Sequence, residues 1–209
     1  MRIITVSREF GSGGRELGKR LADALGFAYY DKEVITAVAK RNSLDENYVD
    51  KTLEQDFFRS IPMTFGHTFA YIPTLPYDAS SLFIEQQKIV RELAKKGDCV
   101  IVGKNADCIL DREKPFKIFV YADMKGKIAR CKRRAPEDEK LSDREMEKKI
   151  RQVDRARANS HALLADLPWG DRRGYDLCVN TTDVWVKDIV PAVADYARRW
   201  FDVRDYSVD

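Results

Sequence analysis

Three glycines in four positions, Gly11-Ser12-Gly13-Gly14, follow the short β-branched run Ile3-Ile4-Thr5-Val6-Ser7 and precede a helical pattern built on Leu17, Leu21 and Leu25. A strand that turns through glycines into a helix aims its loop amides and the positive end of the helix dipole at one place. The chemistry this suits is the binding of an anion, and of a polyphosphate in particular. Gly26 stands where such a helix is usually closed. The structural alternative is a glycine turn that merely joins a strand to a helix. On the phosphate reading, a side chain at Gly13 would occupy the place of the polyphosphate.

The wording Ile-Thr-Val-Ser-Arg-Glu-Phe-Gly-Ser-Gly-Gly-Arg-Glu-Leu resembles the cytidylate kinase-like family of P-loop kinases. The resemblance implies a three-layer P-loop NTPase fold with a five-stranded parallel sheet and a helical lid. It also implies ATP and Mg2+ as cofactors and a pyrimidine nucleoside monophosphate such as CMP as the first-guess acceptor. The standard motif G-x-x-x-x-G-K-[ST] is not reproduced. Laid without gaps on such a kinase, Gly11, Ser12 and Gly13 match its turn. Arg8 replaces the first glycine, Gly14 the phosphate-binding lysine, and Arg15 and Glu16 fall at the magnesium-binding hydroxyl. Either Arg8, Arg15 and Lys19 supply the missing charge, or nucleotide binding is weak or lost. Glu9 and Glu16 are within reach to pair with those arginines structurally.

A second cationic stretch, Lys125, Lys127, Arg130, Lys132, Arg133 and Arg134, is followed by Glu137, Asp138 and Glu139. The family resemblance makes it one arm of a lid hairpin at about residues 125–160. Arg130, Arg133 and Arg134 would then reach the phosphates from the first arm, and Arg155 and Arg157 from the second. Arg151 and Arg155 share a helix face by their spacing of four. A solvated hairpin is the alternative. Gly103 and Lys104, with Asn105, follow an apolar strand at its carboxyl end, where open α/β sheets bind ligands. Asp31 and Lys32 occupy the same edge, and together these four are the acceptor-side candidates. Asp31 is also well placed to cap a helix. Asp107 and Asp123 are weaker candidates for holding magnesium. The segment Trp169-Gly170-Asp171 resembles the family's closing loop before the last strand.

These groups need a scaffold, and 209 residues allow one α/β domain. Strands are expected near residues 3, 28, 100, 118 and 177, with helices between them. Ser43 with Glu46 and Ser142 with Glu145 have capping-box spacing. Pro191 should kink the last helix or mark its first turn. Residues 56–81 lose periodicity and mix prolines with aromatic residues, as in a lid, a binding loop or an oligomer contact, and the family resemblance implies an acceptor-binding insertion there.

Net charge is only +3, which argues against a nucleic-acid-binding module. No apolar run approaches a bilayer-spanning length, and the first residues read as a strand rather than a signal peptide, so a cytoplasmic protein is expected. Cys99, Cys108, Cys131 and Cys178 lack a C-x-x-C pair and fit reduced thiols. His67 and His161 are too few and too distant in sequence to suggest zinc. The expected function is phosphoryl transfer from ATP to a small acceptor. The alternative is a nucleotide-binding regulator with a degenerate loop that has lost turnover. A homo-oligomer is compatible with either.

Overall fold

The computed structural model describes residues 1–53, 79–135 and 141–204. Five parallel strands, β1 (Ile3–Arg8), β2 (Ala28–Tyr30), β3 (Cys99–Val102), β4 (Phe116–Tyr121) and β5 (Leu177–Asn180), lie in the order β2-β3-β1-β4-β5. All four pairings are parallel, with Ile3 opposite Cys99 and Ile4 opposite Phe116 around the central strand. Every residue of β1 and of β3 is buried. That explains their unbroken apolar runs, since a central parallel strand is covered on both faces.

Side chains alternate across this sheet and so divide the core in two. Ile3, Cys99 and Ile101 pack with Val34, Val38, Leu82 and Ile89 of helices α2 (Lys32–Asn42) and α4 (Ala79–Ala94). Ile4, Val6, Val100 and Val102 pack with Leu17, Leu21, Val190 and Val193 of α1 (Gly14–Leu25) and α8 (Val186–Arg204). Three layers result, a helix layer on each face of the sheet. The remaining α-helices among the described residues are α3 (Glu46–Lys51), the short α5 (Ala106–Ile109) after β3, and a hairpin of α6 (Met124–Arg134) and α7 (Asp143–Ala162).

Gly26 closes α1 at φ 68°, and Ser142 with Glu145 forms a full capping box on α7. The matching pair at α3 does not. Ser43 is the left-handed C-cap of α2, and the Asp45 carboxylate accepts from the Asn47 and Tyr48 amides instead. Pro191 lies inside α8, past its first turn. Asp31 precedes α2 but makes no capping hydrogen bond. Of the aromatic segment at residues 56–81, only 79–81 fall among the described residues, and they begin α4. His67 and the acidic run at residues 137–139 lie outside them. No described helix is long and apolar enough to cross a membrane, and all four cysteines are free thiols.

Candidate active site

The loop after β1 reaches α1 through two left-handed glycines, Gly11 at φ 78° and Gly13 at φ 85°. A side chain on Gly13 would not enter an open site. Its Cβ would stand 2.7 Å from Val186 Cγ2 and beside the Arg130 side chain, so a substitution there strains the fold before it touches a ligand. Gly14 is closed for a different reason. Its Cβ would run into Cβ of Arg8 and lie 3.2 Å from Cβ of Val120. The shaft of Arg8 fills the space through which a lysine at position 14 would leave the helix.

Parts of the chain far apart in sequence hold this loop. Arg130 donates to the carbonyls of Gly11 at 2.8 Å and Thr181 at 2.9 Å. The Thr181 hydroxyl donates to the Ser12 carbonyl at 2.6 Å. Arg157 donates to the Arg8 carbonyl at 3.0 Å. Asp154 accepts from the Phe10 amide at 2.6 Å, and the ammonium of Lys127 lies 3.1 Å from Glu9 and 3.3 Å from Asp154. Burial pushes the Asp154 carboxyl up from its ordinary pKa, against the Phe10 amide and Lys127, which lower it. Burial, with Arg134 and Arg133 nearby, lowers that of Arg130. A guanidinium kept among like charges is suited to a site that receives an anion.

Two cavities open on this edge of the sheet. The smaller, about 280 Å³, has Gly11, Gly13 and Gly14 on its wall with Arg8, Arg15, Arg130, Arg134, Lys149 and Arg157. Glu9 is the one carboxylate on its described wall, and Lys127 and the Ala122 amide already hold its Oε2. The larger, about 400 Å³, is lined by Ser7, Gly103, Lys104, Asn105 and Trp169, and by α7 residues that include Lys149, Arg155 and Arg157. Arg8, Lys149 and Arg157 belong to both walls.

The turn after β3 carries three successive left-handed residues, Gly103 at φ 72°, Lys104 at 56° and Asn105 at 54°. Such strain persists only where neighbours enforce it, and it gathers at functional sites. Here the Gln86 amide donates to the Lys104 carbonyl, the Lys104 ammonium meets Asp50 at 3.1 Å, and Asn105 donates to the Ser160 hydroxyl at 2.7 Å. The turn thus ties the sheet edge to α3, α4 and α7. Asp31 sits nearby with its side chain only 6% exposed, 2.5 Å from Arg15 and 3.8 Å from Arg8. Its burial is answered by two guanidinium groups rather than by the start of α2. Tyr29, pushed up to about 12 by burial and then by Asp31, adds no second carboxylate-like charge there.

The sequence candidates therefore divide. Arg8, Gly11, Gly13, Gly14, Arg15, Arg130, Arg134 and Arg157 meet around the smaller cavity, and Gly103, Lys104 and Arg155 line the larger. Ser12 is buried behind the loop, its hydroxyl donating to the Glu9 carbonyl. Glu16 pairs with Arg20 and Arg134, and Lys32 is exposed. Neither Glu9 nor Glu16 pairs with Arg8 or Arg15 in the described contacts; Asp31 does. Arg133 lies over the Trp185 ring at 4.7 Å and Arg151 pairs with Glu147, and neither is on the described wall of either cavity. Asp123 caps α6 and Asp107 faces His161. Positions 15 and 16 carry no hydroxyl. Lys127, Lys149, Asp154 and Thr181 carried no signal in the sequence beyond membership of a charged or terminal segment.

A parallel sheet in this order, with a glycine loop between its central strand and the first helix, is the fold of the P-loop kinases. The family model for the cytidylate kinase-like family matches residues 3–183, and the chain belongs to that family. Among solved structures it resembles an uncharacterized protein from Eubacterium ventriosum, at 23% identity over 95% of this chain and 99% of the other, TM-score 0.66. A shikimate kinase from Bacteroides thetaiotaomicron is 15% identical over 94% and 98% of the two chains, TM-score 0.57. A gluconokinase from Sinorhizobium meliloti is 14% identical over 100% and 98%, TM-score 0.55. No curated protein matches significantly. Family membership supports ATP-dependent phosphoryl transfer in general.

Proposed function

We propose that the chain transfers the γ-phosphoryl group of ATP to a small anionic acceptor, with CMP as the first compound to test. The observation that carries this reading is the meeting of the two cavities at Arg8, Lys149 and Arg157. Phosphoryl transfer needs its donor and acceptor in line and positive charge around the moving group, and little else from the protein. The glycine loop and its arginines suit the polyphosphate. The larger cavity is of a size typical of small-molecule pockets, about 300–1,000 Å³. Arg8, Lys104, Lys149, Arg155 and Arg157 stand on its described wall, which has no Asp or Glu. A phosphorylated or carboxylated acceptor fits that wall better than a neutral alcohol.

The test begins with calorimetric titration of ATP and magnesium. Acceptor-dependent ADP release is then measured with CMP, other nucleoside monophosphates, shikimate and gluconate. The last two are the acceptors named by kinases of similar fold. ATP binding without turnover on any acceptor would favour the regulator reading, which the glycine at position 14 motivates.

Arg134→Ala and Arg155→Ala each lower turnover by about tenfold to a hundredfold while ATP affinity stays within about twofold, because charge aimed at the transferring group is worth most in the transition state. Steady-state kinetics beside direct ATP titration separates the two quantities. Loss in neither would make the hairpin a solvated surface, and equal losses in both would make these arginines ground-state ATP binders.

A further inference from the structure

Where α5 meets the end of α7, three side chains with metal-binding donors converge: Asp107, Cys108 and His161. The carboxylate oxygen, thiol sulfur and ring nitrogen all lie within 4.8 Å of one another. Asp107 is 3% exposed and His161 5%. His161 Nε2 stands 3.3 Å from Asp107 Oδ2, yet Asp107 Oδ1 and His161 Nδ1 are buried with no hydrogen-bond partner. A buried carboxylate with a bare oxygen costs stability unless something cationic completes it.

We propose that Asp107, Cys108 and His161 form a zinc(II) site that fastens the C-terminal end of α7 to α5. Sulfur, nitrogen and oxygen donors together suit this borderline-soft ion. The spacing agrees. Two ligands each bound at roughly 2.0 to 2.1 Å in a tetrahedron lie about 3.3 Å apart, which is long for a charge-assisted hydrogen bond of about 2.7–2.9 Å. Cys108 is partly exposed, which opens a path from solvent. Coordination replaces the thiol proton, which leaves to water, and water completes the four-coordinate shell. Asn105 already bonds Ser160 one residue before His161, so the ion would stiffen a wall of the larger cavity. The inference does not depend on which acceptor that cavity takes, or on turnover.

The full-length protein, freed of metal by a chelator, is titrated with zinc against a chromophoric competitor and, separately, with cobalt(II). Wild type should take up a single tight equivalent, show thiolate-to-cobalt absorption in the near ultraviolet, and melt at a higher temperature with zinc. Cys108→Ser should melt like wild type in chelator, lose the cobalt band and bind zinc at least about a hundredfold more weakly. His161→Gln should lose the zinc-dependent rise in melting temperature. Absence of a tight equivalent, or equal affinity in Cys108→Ser, would overturn the site and leave an ion pair. Zinc uptake that depends on Cys99, Cys131 or Cys178 instead would overturn it equally.

Discussion

Arg8→Met is expected to lower turnover about a thousandfold, in the range an arginine on the transferring phosphoryl group commands. The side chain is 9% exposed and lies on the walls of both cavities. Its shaft packs on Gly14 and its guanidinium covers Gly103. Methionine keeps the bulk beside Gly14 and removes only the charge, so the loop should hold its shape. Removing the partner of a buried charge typically costs about 3–5 kcal/mol. The loss here should be smaller, because Asp31 keeps Arg15 at 2.5 Å. Single-turnover ADP formation beside urea unfolding reads both effects. If stability falls while turnover is untouched, Arg8 belongs to the fold and is not the substitute for the missing lysine.

Lys127→Met should be the most destabilising single change at the site, by about 3–5 kcal/mol at neutral pH. The lysine side chain is 6% exposed and lies between Glu9 and Asp154, which would be left facing each other. The deficit should shrink on acidification. Burial already raises the Asp154 carboxyl, and Lys127 is among the groups that lower it, so the variant's value rises further. A carboxyl whose folded pKa exceeds its unfolded value, near 3.9, gives a folded state that binds more protons. Stability from that group is then present below the unfolded value and lost as pH rises through the folded one. Urea unfolding of both proteins at neutral pH and near pH 5 measures this. An equal deficit at the two pH values would reduce Lys127 to packing.

Both residues show what the sequence could carry. The five strands were readable because each is a short apolar run between helical stretches, and the central ones are buried on both faces. The glycine loop was readable because its turn needs left-handed residues. Caps were harder. Ser43 and Ser142 share one spacing, yet only Ser142 has the extended backbone an N-cap requires, while Ser43 sits at φ 53°. Asp31 was read locally as a cap because its partners Arg8 and Arg15 only meet it once β1 and β2 are brought to the same edge of the sheet. The glycine at position 14 could be read in the sequence only as a missing lysine, because the Arg8 shaft that crowds it is brought there by the fold. Counting histidines pointed to no zinc site, and the sequence could not show that the fold brings His161 beside Asp107 and Cys108. Lys127 was invisible as a loop support because 118 residues separate it from Glu9.

The bond from Thr181 to Ser12 also sets an order of events during synthesis. It spans 169 residues, and Arg130 joins Gly11 to the same threonine. At about 5–20 residues per second, a ribosome makes the glycine loop roughly 8–34 s before the residue that fastens it. Through that interval the nascent chain carries the loop without its clasp. A chain stalled before β5 should therefore bind ATP poorly even with β1, α1, β3 and β4 already made, and nucleotide binding becomes a late checkpoint on whether the sheet has been finished.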